Sequence, residues 1–285
     1  MSGIVALGVG RFRSLGIRGG RTGNLLALLS ALWLLVTLAA LIVPGVLAPG
    51  DPTDLRPALV FQPPSAENPF GTDQYGRSVY LLLVHGARTA MLVGLASTAI
   101  AVTVGALIGL IAGFAGGWVD AVIGRVLDVL MSIPGVLLAL VITAGAGSST
   151  GVLIISVGVA FIAGFARVMR AQVLATRERV YIDAARSVGF SGPRILFRHV
   201  LPNAITPVIG LATIAVGEAI LVASALSFLG LGPRLDVPDW GQLLASGQPF
   251  LVQAWWVSTF AGVTISLTVV AVSLLGDWLK DWMEK

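Results

Sequence analysis

Residues 178–203 read Glu178-Arg-Val-Tyr-Ile-Asp-Ala-Ala-Arg-Ser-Val-Gly-Phe-Ser-Gly-Pro-Arg-Ile-Leu-Phe-Arg-His-Val-Leu-Pro-Asn203, a charged, helix-forming island between two long apolar segments. Lipid cannot hold this stretch. An arginine at the centre of a bilayer costs roughly 2.5–3.5 kcal/mol on insertion scales, and Arg186, Arg194 and Arg198 would each incur that cost. The island therefore belongs in water on one side of a membrane, where a soluble partner can read its shape.

The rest of the chain supplies that membrane context. Of its 285 residues, 56% are hydrophobic and only 11% charged, and the mean hydropathy is +0.93. These values exclude an ordinary soluble domain and point to an all-α membrane protein of several spans and short loops. There is no cysteine, so neither disulfides nor thiolate metal sites arise. A net charge of +4 would suggest nucleic acid in a soluble protein. In a lipid-embedded chain it follows from the enrichment of Lys and Arg in cytoplasmic loops, so no nucleic-acid partner is expected.

Six transmembrane helices are predicted, each from a run of about 20 or more apolar residues. Residues 1–23, with four arginines and no acid, form an N-terminal lead, and the first span is Asn24–Val43. A cleaved signal is disfavoured, because signal h-regions are only about 7–15 residues long. Residues 44–86 form an extracytoplasmic loop in which Thr72 or Asp73 is placed to cap a short interfacial helix carrying Val79 and Leu81 to Leu83. A core of five spans and their loops follows over 87–275, and 276–285 is a charged tail.

The second span, about 87–114, contains Gly105, Gly109 and Gly113 in a small-xxx-small ridge that suits close helix packing. In the third, about 122–144, Arg125 and Asp128 lie at i,i+3 and can pair on one face, and Pro134 predicts a kink of the kind that lines cavities. The fourth covers about 152–173, the fifth about 204–229, and the sixth 255–275, with a loop at 230–253 between the last two. Glu218 is the ionisable group deepest in a span, suited to proton coupling, to lining a cavity or to bonding a neighbouring helix.

An even number of spans places both termini on one side. That side, with the island, carries thirteen Lys and Arg apart from Arg125, against four in the loops at 44–88 and 230–253, so termini and island are read as cytoplasmic. No engine is encoded. A phosphate-binding loop ends in Gly-Lys-[Ser/Thr], whereas the two lysines, Lys280 and Lys285, follow Leu279 and Glu284. The two histidines, His85 and His199, form no zinc motif, and no cofactor is called for.

Tyr181-Ile-Asp-Ala-Ala-x-x-x-Gly189 followed by Leu201-Pro202-Asn203 resembles the cytoplasmic EAA loop of ABC-importer permeases. With Phe70-Gly-Thr-Asp-Gln-Tyr-Gly-Arg77, Gly86-Ala-Arg88, Ser227-Phe-Leu-Gly-Leu-Gly232 and Pro238-Asp-Trp-Gly241, the chain is similar to the C-type permease of dipeptide, oligopeptide and nickel importers. The resemblance implies a type I ABC importer permease (MetI-like) fold in a bacterial inner membrane. It also implies a homologous B-type permease, two ABC ATPase subunits and an extracytoplasmic substrate-binding protein as partners.

On that resemblance, Tyr181, Asp183, Ala184, Ala185, Arg186, Gly189, Leu201 and Pro202 couple to the ATPases through loop 176–203. Arg125, Asp128, Pro134 and Glu218 line the pathway, and Asp73, Arg77, Asp239 and Trp240 meet the binding protein. Local physics suits the loop to this task. A helix over 181–188 offers small Ala184 and Ala185 to a partner, Gly189 closes it, Gly192-Pro193 opens the next helix, and Pro202 fits the first turn of the fifth span. Asp183 stands where relatives usually carry Glu, and Ala223 where many carry an acid, with Glu218 over a turn earlier. Two other readings are a proton-coupled secondary carrier using Glu218, which would need no ATPase, and a peptide-exporting ABC permease. An intramembrane enzyme would need a second catalytic group near Glu218 or Asp128, and none is found.

Overall fold

Apolar runs and the residues that interrupt them set the architecture. The computed structural model describes residues 21–234 and 236–283, so most of the predicted lead and the last two residues of the tail lie outside the described residues. In chain order the α-helices are α1 (Arg21–Ile42), α2 (Pro44–Leu47), α3 (Val79–Ala115), α4 (Gly117–Met131), α5 (Gly135–Ala146), α6 (Thr150–Arg177), α7 (Val180–Ser187), α8 (Gly192–Ile195), α9 (Leu201–Leu226), α10 (Trp240–Gly247) and α11 (Trp255–Met283). Among the described residues, five stretches are long and apolar enough to cross a bilayer: Leu25–Ile42, Val79–Ala115, Thr150–Arg177, Gly192–Leu231 and Trp255–Leu279. The bent pair α4 and α5 supplies a sixth when taken as one broken span.

The bundle is centred on α3, which packs along α6 and then against α9; α11 lies on α9, α10 and α1. The glycine ridge decides the first of these contacts. A Cβ on Gly109 would sit 2.2 Å from the Ala166 carbonyl oxygen, and one on Gly113 would sit 2.8 Å from Val173 Cβ. Without side chains at these positions the two backbones approach closely, which is how helices gain dispersion energy where lipid removes the hydrophobic drive. At the far end of α3, Arg177 donates to the Phe114 carbonyl at 2.9 Å and also to that of Gly113, satisfying acceptors that a helix C-terminus leaves free. Trp33 Nε1 donates to Thr268 Oγ1 at 3.0 Å and ties α1 to α11.

Several elements differ from the sequence reading. The interfacial helix expected before the second span is not separate: α3 begins at Val79 and runs unbroken for 37 residues. At 1.5 Å per residue that is about 55 Å, well beyond about 30 Å of hydrocarbon, so its ends stand outside the lipid core. Asp73 does not cap it, and the N-cap Ser78 makes no side-chain bond.

Pro134 does more than kink the third span. It adopts ψ 128°, outside the helical region, and α4 and α5 meet at 83°. Pro134 has no N–H to bond back along α4, and its ring crowds the turn before it. Nor does Arg125 pair with Asp128; Asp128 binds Arg167 of α6 instead. Pro202 stands in the first turn of α9, as expected, but that helix is not a fresh start. A π-helical turn, Leu196–Val200, joins α8 to α9, with Leu201 N–H bonding the Leu196 carbonyl, so the chain is helical from Gly192 to Leu229, and Gly230 leaves the helical region at φ 84°. The wider turn accommodates a proline within a continuing helix. The predicted loop at 230–253 contains α10, capped by the Asp239 carboxylate accepting from Gln242 N–H at 2.9 Å.

Candidate functional site

Three regions hold the candidate residues. The first is the island. In α7, Ile182 and Ala185 turn inward and join a core with Val173, Ile195 and Val200. The outer face is also apolar: Val180 is 84% exposed, Val188 76% and Tyr181 45%, and Ala184 lies exposed among them. Of the two alanines expected to meet a partner, only Ala184 is accessible, because the helical turn carries Ala185 onto the chain's own core.

The end of α7 is closed by backbone chemistry. Phe190 N–H bonds the Ala185 carbonyl at 3.1 Å, and Gly189 N–H bonds that of Arg186 at 2.9 Å. This is the Schellman pattern, and it requires the left-handed φ of 86° that Gly189 adopts. Beyond it the Phe190 ring stacks beside His199, with centroids 6.1 Å apart. Asp183 and Arg186 pair at 3.1 Å with most of Asp183 in solvent, so this pair contributes at most about 1 kcal/mol and leaves the carboxylate open to another cation. Leu201 is half-buried beside the π-helical turn, and Pro202 is exposed next to it. The island is therefore a short, firmly capped projection with an apolar outer face.

The second region is the break between α4 and α5. A cavity of about 320 Å³ is lined by Ile133, Pro134, Phe161, Leu211, Ala215 and Glu218, among others. Glu218 is the one ionisable group on its wall; its carboxylate is exposed and has no hydrogen bond or ion pair among the described residues. Arg125 and Asp128 line a separate cavity of about 300 Å³ between α4 and α6. There Asp120 binds Arg170 through both carboxylate oxygens and Asp128 binds Arg167. Four of the five charged groups in that region thus hold α4 to α6. Pro134 and Glu218 come together, and Arg125 and Asp128 belong next door.

The third region is the opposite end of α3. Asp73, with its side chain fully buried, accepts from Tyr75 N–H at 2.8 Å and Arg77 N–H at 2.9 Å, and pairs with the Arg77 guanidinium at 2.7 Å. It is the keystone of the 71–78 turn and not an outward contact. Trp240 is 1% exposed and donates from Nε1 to the Leu83 carbonyl at 2.8 Å, and Trp256 does the same to Thr72 at 3.0 Å. Burial pushes the Asp239 carboxyl above its ordinary pKa, opposed by N–H bonds from Gln242 and Gly241. Asp73, Asp239 and Trp240 are expected from the sequence as contacts with a partner. They instead build the surface, and exposed Tyr75 was missed because an aromatic in a Gly-rich turn carries no pattern of its own. A groove of about 150 Å³ beside it is bordered by Gln74, Tyr75, Arg77, Asp239 and Gln242.

Among the described residues, no grouping of three or more His, Cys, Asp or Glu is placed to hold a metal ion. Residues 105–285 match the family described as "Binding-protein-dependent transport system inner membrane component". The chain is 37% identical over 254 residues to the dipeptide transport system permease protein DppC of Alkalihalophilus pseudofirmus, covering 88% of this chain and 84% of that one. It is 38% identical over 271 residues to the di/tripeptide transport system permease protein DppC of Pseudomonas aeruginosa, covering 93% and 88%. Against the glutathione transport system permease protein GsiD of Pectobacterium atrosepticum it is 36% identical over 221 residues, covering 78% and 73%. A structure of the MetNI methionine ABC transporter, inward facing, superposes with a TM-score of 0.60 at 17% identity over 72% of this chain and 97% of that one. At that identity the likeness is one of fold, and it is the MetI-like fold expected.

Proposed function

The chain belongs to the family of binding-protein-dependent inner-membrane transport components, and on that premise we propose that it forms half of a translocation pathway for peptides. It is a multi-pass membrane protein, the permease subunit of an ATP-driven ABC importer, and the ATPase site lies in partner subunits. The carrier and exporter readings have no support. In the proposal a homologous B-type permease supplies the other half, two ATPase subunits complete the complex, one of them gripping α7 through Tyr181, Asp183, Ala184, Arg186 and Gly189, and an external binding protein delivers cargo. Peptides are favoured because relatives named for dipeptides, di/tripeptides and glutathione align over most of the chain.

The observation that carries the reading is the α7 projection. An apolar outer face on a capped helix is costly to leave in water and suits a groove in a partner. We place this face, with both termini, in the cytoplasm, which the Lys and Arg distribution supports. Closure of the ATPases on ATP would pull the projection and shift the bundle between two packings. The binding protein would dock at the opposite end, over the 71–78 turn and α10, with Tyr75 at the rim of the groove.

The test is uptake of labelled alanyl-alanine into proteoliposomes holding all four membrane and ATPase subunits, with the binding protein outside. Uptake should require ATP and the binding protein and be lost in Ala184→Trp, whose permease pair still assembles. Uptake that persists without ATP on a proton gradient, or that ignores Ala184→Trp, refutes the proposal.

A further inference from the structure

We infer that Glu218 is the cation-recognising group of a cargo subsite, and that the cavity at the α4–α5 break takes solutes bearing an ammonium on an apolar body. This rests on the permease reading above and narrows its cargo. Glu218 lies well inside the helical run from Gly192 to Leu229, eleven residues from its nearer end, where a bare carboxylate is unfavourable in lipid. The acids of α4 are satisfied: Asp120 holds Arg170 and Asp128 holds Arg167. Glu218 has no partner among the described residues and faces a cavity of a size that holds a small ligand, about 320 Å³.

Three features of the wall define what fits. There is one formal charge, so a neutral or anionic solute leaves the carboxylate uncompensated while an ammonium satisfies it. Phe161 is half-buried on the same wall, and aromatic faces attract cations. The rest is apolar, and it includes Met131 and Ile133 at the break, whose carbonyls accept no backbone hydrogen bond. The C-terminal carbonyls of a broken helix favour a positive charge nearby. An amine on an aliphatic or aromatic body satisfies all three, and a peptide with a free N-terminus and apolar side chains is one such solute.

The absence of cysteine from this chain allows a test that needs no knowledge of the cargo. Gly164 is on the cavity wall, and a Cβ added there meets nothing within 4 Å. Gly164→Cys, in a nucleotide-free assembled complex whose other subunits lack cysteine, is titrated with trimethylammonioethyl methanethiosulfonate and with its sulfonatoethyl analogue. Rates are normalised to those with a free thiol. The cationic reagent should be favoured about tenfold, and Glu218→Gln should remove most of that preference while Glu218→Asp keeps it.

A second arm measures trileucine uptake by proteoliposomes: Glu218→Gln should lower it about tenfold, while Glu218→Asp keeps most of it. A charge preference that is absent or survives Glu218→Gln overturns the subsite, as does undiminished trileucine uptake. Failure of Glu218→Gln to assemble with its partner permease also overturns it, since the carboxylate would then be a subunit-interface group. A wild-type complex that shows the thiol preference but imports no peptide leaves the subsite standing and removes peptides as the cargo.

Discussion

The α7 projection can transmit force only while its cap holds, and Gly189 is where that is tested. Its φ of 86° is open to an L-residue only at a cost, and a Cβ built there meets no atom within 4 Å. A substitution therefore acts on the backbone and not by collision. Placing an L-residue in the left-handed region costs roughly 1–2 kcal/mol, and less for Asn. Gly189→Val should accordingly open the two cap bonds, Phe190 N–H to Ala185 and Gly189 N–H to Arg186, about ten times more often than in the native chain. Phe190 would then leave its place beside His199. Hydrogen exchange read by mass spectrometry should show faster exchange over 186–192, and proteoliposomes should consume more ATP per molecule imported. Gly189→Asn should restore most of both. Unchanged exchange and unchanged coupling in Gly189→Val would show that the cap is not what keeps the projection stiff.

Other expectations follow from the same geometry. Gly109→Ala puts a Cβ against the Ala166 carbonyl and should cost about 2–3 kcal/mol by forcing α3 from α6, seen as a lower melting temperature of the solubilised permease, whereas Gly124→Ala, with open space, should be neutral. Asp73→Asn leaves the 12%-exposed Arg77 side chain without its counter-charge and should cost about 3 kcal/mol, with proteolysis in the 56–78 loop as the readout. The Asp239 carboxyl is raised in the folded state by burial, so its contribution to stability is full below its unfolded pKa and is lost as pH rises through the folded value. Asp239→Asn should flatten that part of the pH–stability curve, and an unchanged curve would refute the assignment.

Much of this was legible in residue order. The apolar runs gave the spans, the Gly105, Gly109 and Gly113 spacing gave a close helix contact whose partner, α6, only the structure identifies, and Gly189 and Gly192-Pro193 gave the end of one short helix and the start of the next. What escaped was decided across elements. Arg125 and Asp128 have the spacing of a helical pair, yet Arg167, brought alongside by the packing of α6, takes the carboxylate. A proline announces a disturbance but not its size, so Pro134 read as a bend and proved an 83° break, while Pro202 read as a first-turn proline and stands there, directly after a π-helical turn that nothing in the residue order announces. Asp73, Asp239 and Trp240 read as contact residues because polar and aromatic groups in loops usually face outward; their backbone partners, Tyr75, Gln242 and Leu83, are visible only once the loops close over α3.

The helical run from Gly192 to Leu229 puts the end of the island and Glu218 on a single lever arm. Over the 26 residues between Gly192 and Glu218 that arm is about 39 Å long. Swinging it by about 10° about its Gly192 end would sweep the carboxylate through about 7 Å, roughly the width of a small amino-acid residue. A modest pull at one end is thereby geared up into a stroke the size of the cargo at the other.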